Sequence, residues 1–233
     1  MSTFSNAGTK LVEIFNKMHQ DTDFTDCTII VDSIKFECHK IVLATDSEFF
    51  RRMFLSNFKE SSSREIHLKD VTPVVFLIFR EYMYKYDSKV LNNYDLPTLM
   101  NLFECGNMWM APSIVKDCAT ILVTRAQGLT TADLPIFFEL GHKHNNSILI
   151  NGITAILQSQ NVVPFNGNSS FLLNYDIFQK FISFYRNGNA DALTENYLAF
   201  NRRLKRKHET EKNANGSLNE IINEKLNQEK SKK

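Results

Sequence analysis

The chain has 233 residues, 43% hydrophobic and 23% charged, with a net charge of +1 at pH 7. That leaves room for one or two domains with a real apolar core. Its longest apolar runs, such as Val74 to Phe79, fall far short of the about 18 residues that a membrane span needs. From Asn201 onward ten Lys and Arg face five Glu, so a mildly acidic body carries a basic tail. Such a body is not expected to bind nucleic acid directly. The opening MSTFSNAGTK has no basic-then-apolar leader, so a cytoplasmic or nuclear protein is expected. Cys27, Cys38, Cys105 and Cys118 form no CxxC pair and sit in apolar contexts. They read as structural thiols.

A first helix is predicted over Thr9 to Met18, where Leu11, Ile14, Phe15 and Met18 recur at i, i+3, i+4 and i+7. That face fits either the chain's own core or a second subunit. Cys27 to Val31 and Ile34 to Cys38 read as two strands joined by Asp32-Ser33, since Asp tolerates the left-handed region. In the second strand Ile34, Phe36 and Cys38 share one face, with Lys35 and Glu37 on the other. Ile41, Val42 and Leu43 open a buried helix. Asp46 or Ser47 caps the next, which carries Phe49, Phe50, Met53 and Phe54. Glu65 to Leu68 alternates as a strand. Thr72-Pro73 starts a helix over Val74 to Met83 that is apolar on most sides, hence buried on most sides.

Further helices are predicted over Asp95 to Asn107 and Ser113 to Val123. Asp133 with Pro135 opens another, and Ile136, Phe137, Leu140, Ile148, Ile150, Ile153, Ile156 and Leu157 indicate a packed helix pair. Phe171 to Tyr185 is the last apolar helix. From residue 201 the chain reads as a basic, partly disordered tail.

The segments DCTIIVD and FECHKIVLA, then SEFFRRMF, then FKES before EIHLKDVTPVVF, match the residue order of one known family. Over roughly Leu11 to Val123 the chain resembles a BTB/POZ domain. EYMYKYD departs from the pattern: Tyr86-Asp87 stands in place of a small residue and Gly. LTTADLPIFFELGHKHNNSILINGITAIL resembles the start of a BACK domain, the helical extension that often follows. No fixed-period repeat is visible, which argues against kelch blades. The fold implied is α+β, a BTB/POZ fold with a small sheet flanked by helices (1–124). An all-α BACK-like region (125–200) and the basic tail (201–233) follow.

The resemblance implies a homodimer with Leu11, Ile14, Phe15 and Met18 at its interface. Asp26 and Lys40 match a buried charged pair near that interface, the alternative being plain surface charges. Phe58-Lys59-Glu60 matches the apolar-x-Glu motif that holds cullin-3, with Phe58 and Glu60 as contacts; alternatively Phe58 closes its own loop. The function implied is a non-catalytic adaptor of a cullin-3 ubiquitin ligase presenting an unknown protein substrate. The rival is a nuclear scaffold that recruits transcriptional partners. Arg202, Arg203, Lys205, Arg206 and Lys207 form a basic cluster, either an import signal or nucleic-acid patch or a solvated helix end. No catalytic, cofactor or metal site is expected. There is no GxSxG, phosphate loop or HExxH, and His142 and His144 on one helix would point apart. His39 reads as a satisfied core histidine.

Overall fold

The computed structural model describes residues 10, 13–15, 17–20, 22, 24–55, 64–129, 133–159, 174–183, 194–203 and 205–206. The chain divides into two compact units, residues 1–128 with 143–153, and residues 129–142 with 154–233.

The first unit is built on a three-stranded sheet of order β2-β1-β3, with β1 Cys27–Val31, β2 Ile34–Cys38 and β3 Glu65–Leu68. β1 runs antiparallel to β2 and parallel to β3. All five β1 residues are buried, because a central strand is covered on both faces. Ile29 and Val31 face the core. Over Thr28 and Ile30, Lys35 Nζ of β2 bridges to Glu65 Oε1 of β3 at 2.6 Å, and Glu37 accepts from the Thr28 hydroxyl at 3.1 Å. β2 is an edge strand and follows the expected alternation only in part. Phe36 is half-buried and Cys38 buried, but Ile34 is left to solvent. The Asp32-Ser33 turn forms as expected, with Asp32 left-handed at φ 54°.

Helices α1 Lys40–Asp46 and α2 Glu48–Leu55 follow β2. The expectation that Ile41 opens a buried helix is corrected: Val42 and Leu43 are buried, but Ile41 is 72% exposed. Helical period turns only one side of so short a helix inward. Ser47 caps α2, its Oγ accepting from Phe50 N at 3.2 Å while donating to the Trp109 carbonyl at 2.6 Å. Residues 56–63, including Phe58 and Glu60, lie outside the described residues.

α3 Pro73–Lys85 has the foreseen Thr72 cap and N1 proline. Val75, Phe76, Ile78, Phe79, Tyr82, Met83 and Tyr84 are buried along it. It ends at Tyr86, which is left-handed at φ 49°. A left-handed cap, which favours Gly, thus forms on a tyrosine. A 3-10 turn over Ser88–Asn93 comes next; no periodicity announced it. α4 Leu96–Met108 and α5 Pro112–Ala126 then pack closely. A Cβ on Gly106 would meet Val115 Cγ2 at 2.9 Å and Ile114 Cγ2 at 3.0 Å. The core of the unit is an aromatic cluster. Trp109 lies 4.6 Å from Phe79, 5.8 Å from Phe50 and 6.0 Å from Phe76, and Phe76 meets Phe36 at 5.0 Å.

α6 Leu134–Lys143, α7 Ser147–Ser159 and α8 Tyr175–Ile182 supply the remaining helices with defined ends. Residues 171–173 and 184–185 of the expected last helix lie outside the described residues. Within the second unit Phe138 packs edge-on against Phe181 at 5.4 Å, and Phe178 stacks on Tyr197 at 4.1 Å. Residues 194–203 and 205–206 are helical. The expected tail boundary at residue 201 therefore falls inside a helix, whose sequence simply turns from amphipathic to basic.

Candidate interaction surface

The N-terminal helix is described at residues 10, 13–15 and 17–20, so it runs two residues beyond Met18. Ile14 is 47% exposed, while Phe15 and Met18 are half-buried. Leu11 lies outside the described residues. The expected apolar face therefore splits: part of it packs at home and part is presented to solvent.

Arg80, which the sequence reading passed over, fastens this helix to the domain. Its Nη2 donates to the His19 carbonyl at 3.3 Å and its Nε to the Glu37 carbonyl on β2 at 3.1 Å. Nη1 stands 3.2 Å from His19 Nε2, and the guanidinium lies over the Tyr84 ring at 5.1 Å. One planar cation thus joins the helix, the sheet edge and α3, as its rigid fork of donors allows. A signal was there, since Arg80 is the first charged residue in the apolar run VVFLIFR, and a charge inside a buried helix demands partners. Burial, then the Arg80 and Lys85 charges, hold His19 below its usual 6.5, with Glu81 opposing.

Asp26 and Lys40 are brought together, but not as a buried charge pair within the chain. Asp26 is exposed and Lys40 half-buried. Asp26 Oδ1 accepts from the backbone N of Lys40 at 2.7 Å. The carboxylate therefore caps α1, whose own N-cap, His39, makes no side-chain cap bond. Lys40 Nζ lies 5.6 Å from the Phe54 ring centroid. The physical reason within the chain is that the amide of the first helical turn needs an acceptor, and Asp26 is at hand to give it.

Asp46 repeats the device. Its two oxygens accept from Ser113 N at 3.0 Å and Ser113 Oγ at 2.8 Å, at the start of α5, whose N-cap Ala111 likewise offers no side-chain bond. Of the two cap candidates, Ser47 caps locally and Asp46 at long range. His39 is 5% exposed. Its N donates to Tyr84 Oη at 3.0 Å, and its Nδ1 lies 2.7 Å from the same oxygen. The Tyr84 hydroxyl oxygen thus meets both the backbone amide and the ring of His39. This is the satisfied core histidine foreseen.

Arg202, Arg203, Lys205 and Arg206 are exposed on a helix; Lys207 lies outside the described residues. His142 packs against Phe138 at 4.5 Å, and His144 against Phe103 at 5.5 Å. Among the described residues no group of three or more His, Cys, Asp or Glu could hold a metal ion, and no helix is long and apolar enough to cross a membrane. The four cysteines are buried free thiols, pushed up by desolvation, Cys105 to about 11 and Cys118 to about 12. What the first unit offers instead is surface: Ile34, Ile41 and Leu55 stand out with Ile14 as exposed large apolar side chains.

The BTB/POZ domain family model matches residues 15–126, the stretch from the N-terminal helix through α5. The chain carries a BTB/POZ domain. Its α+β architecture, a small sheet flanked by helices, is that of the BTB fold. Kelch-like protein 40a of Danio rerio is 35% identical over 118 residues, covering 51% of this chain and 18% of that protein. Kelch repeat and BTB domain-containing protein 4 of Homo sapiens is 35% identical over 104 residues, covering 45% and 19%. The chain thus spans about a fifth of the length of these relatives, all of it at the BTB domain. A solved structure, the BTB domain of zebrafish PATZ1, aligns over 51% of this chain and 92% of its own, at 21% identity and a TM-score of 0.42.

Proposed function

We propose that this protein is a non-catalytic interaction adaptor that homodimerises through its BTB/POZ domain and recruits cullin-3, presenting a protein substrate for ubiquitination. The observation that carries the reading is the BTB/POZ match over residues 15–126, shared with proteins named as Kelch-like. The dimer is supported by the N-terminal helix, which Arg80 holds in place while Ile14 stays exposed. In a two-fold interface the same patch serves both subunits, so Ile14, Phe15, Met18 and the neighbouring Asp26 and Lys40 meet their own copies.

Cullin contact is assigned to Phe58 and Glu60. They follow α2, whose last residue, Leu55, is 75% exposed. An aromatic can fill a partner's pocket while a nearby carboxylate sets register. The BACK-like extension is assigned to residues 125–200, and substrate is read by that half or by the tail. Two cullin arms on one dimer add avidity for weak substrates.

The test is co-purification. Wild-type chain retains cullin-3, and Phe58→Ala with Glu60→Ala loses it. Retention unchanged by the double substitution, or no cullin with the wild type, overturns the adaptor. The exposed basic residues Arg202, Arg203, Lys205 and Arg206 favour a second reading, a nuclear BTB scaffold recruiting transcriptional partners. Loss of nuclear signal on replacing these four by Ala, in a chain that retains no cullin, would select it.

A further inference from the structure

Two of the four cysteines stand opposite each other. In the antiparallel β1–β2 pair, Cys27 and Cys38 are direct cross-strand partners. Opposed residues in such a pair lie about 4.5–5.5 Å apart at Cα, inside the about 4.4–6.8 Å window of a disulfide. Their side chains leave the same face of the sheet, and Cys27 Sγ already lies 3.6 Å from the Cys38 carbonyl. No strand register sets Cys105 on α4 or Cys118 on α5 opposite another cysteine.

The two sulfurs are not equivalent. Arg80 is anchored to the carbonyl of Glu37, the residue before Cys38, at 3.1 Å. Burial pushes the Cys38 thiol up to about 12, but Arg80 opposes this through its charge and a hydrogen bond. Cys27 is pushed higher by burial, then by Cys38 and Asp26. The Arg80 cation beside Cys38 thus favours the thiolate at that sulfur.

The geometry points to Cys27 and Cys38 as a reversible dithiol–disulfide pair oxidised by a peroxide, with Cys38 as the attacking sulfur and Cys27 as the resolving one. The Cys38 thiolate attacks the O–O bond of hydrogen peroxide. An S–O bond forms and hydroxide leaves, to be protonated to water. Cys27 sulfur then attacks Cys38 sulfur; the S–S bond forms, the S–O bond breaks, and the oxygen leaves as a second water with the Cys27 proton. Two thiols lose two electrons and one peroxide becomes two waters. Both sulfurs are shut off from solvent, so the reaction runs through opening of β2, an edge strand. Cross-strand Cβ spacing lies at or above the upper end of the disulfide range. The expected disulfide is reopened by added thiols through exchange.

The experiment treats the full chain with hydrogen peroxide, blocks free thiols with N-ethylmaleimide, digests without reduction and maps peptides by mass spectrometry. Exposed Met108 and Met110 serve as an internal dose marker through their sulfoxides. By the dose that converts them, the expected product is a Cys27–Cys38 linked peptide pair, two hydrogens lighter than the dithiol and restored by dithiothreitol. Reaching that dose with no such link, or with links scattered over Cys105 and Cys118, overturns the proposal. Cys27→Ala is expected to trap Cys38 as a sulfenic acid that reacts with dimedone, and Cys38→Ala to leave Cys27 unlabelled. The reverse pattern overturns the assigned roles. The wild-type map stands without either variant.

Discussion

At the starts of α1 and α5 the N-cap residue offers no side-chain bond to a helix amide, and an aspartate from elsewhere supplies one. Asp46→Ala strips two bonds from the start of α5 and is expected to lower stability by about 1–2 kcal/mol, the upper range for a lost cap, read as a shifted urea midpoint at constant slope. The Asp26 case separates a cap from an ion pair. If the bond goes to the Lys40 amide, Lys40→Met leaves it intact while Asp26→Ala loses it, so the lysine variant unfolds at a higher urea concentration than the aspartate variant. Equal losses would mean that the Lys40 charge is what Asp26 serves. Tyr84→Phe removes the one oxygen that meets both His39 N and Nδ1. Two buried polar groups then lack that partner, at an expected cost of about 1–3 kcal/mol. The Asp46–Ser113 and Tyr84–His39 pairings were not legible in the sequence, and Asp26 met Lys40 there only through the family resemblance. Thr72 and Ser47 were legible, because their caps lie within three residues; Asp46 and Ser113 are 67 residues apart, and no local pattern joins them.

Elements were legible where burial has a single period. β1, β2, β3 and the proline-started helices emerge near their expected bounds, because alternation and capping chemistry act locally. Ile41 misled because an apolar triplet on a short helix must split between inside and outside, and the 3-10 turn over Ser88–Asn93 has no periodic signal at all. The helix–helix contacts depend on glycines whose role shows only in three dimensions. A Cβ on Gly152 of α7 would stand 2.5 Å from Val123 Cγ2 of α5. Gly152→Ala is expected to destabilise by about 1–3 kcal/mol through overpacking, and Val123→Ala in the same chain should return part of that loss in a double-mutant cycle. The N-terminal helix carries a pH dependence of definite sign. His19 titrates below its usual value, so the folded state prefers it neutral and the unfolded state binds more protons below 6.5. Its contribution is fully present above 6.5 and is lost as pH falls through the lower folded value. His142, held down by burial and then by Lys180, acts with the same sign. Amide exchange over residues 13–20, corrected for its intrinsic pH dependence, should therefore quicken between pH 7.5 and 5.5, and Arg80→Gln should quicken it at both. Protection that is flat with pH would show that His19 does not titrate in place.

For the whole molecule, the two compact units hold separate aromatic cores in the described residues: Phe50, Phe76, Phe79 and Trp109 in the first, Phe138, Phe178, Phe181 and Tyr197 in the second. The chain has one tryptophan, and it is 1% exposed at the centre of the first core. Its fluorescence therefore reports the BTB/POZ unit, while far-UV circular dichroism sums the helices of both. A core that combines a sheet with four packed aromatics has more buried area to lose than one built from short helices, so the first unit should hold longer. Urea unfolding is expected to show a dichroism loss that begins before the tryptophan signal moves, then a second phase that coincides with it. That order distinguishes a BTB/POZ unit stable by itself from a chain that folds as one cooperative body. Superimposed curves would mean the latter, since coincidence of independent probes is the mark of two-state unfolding.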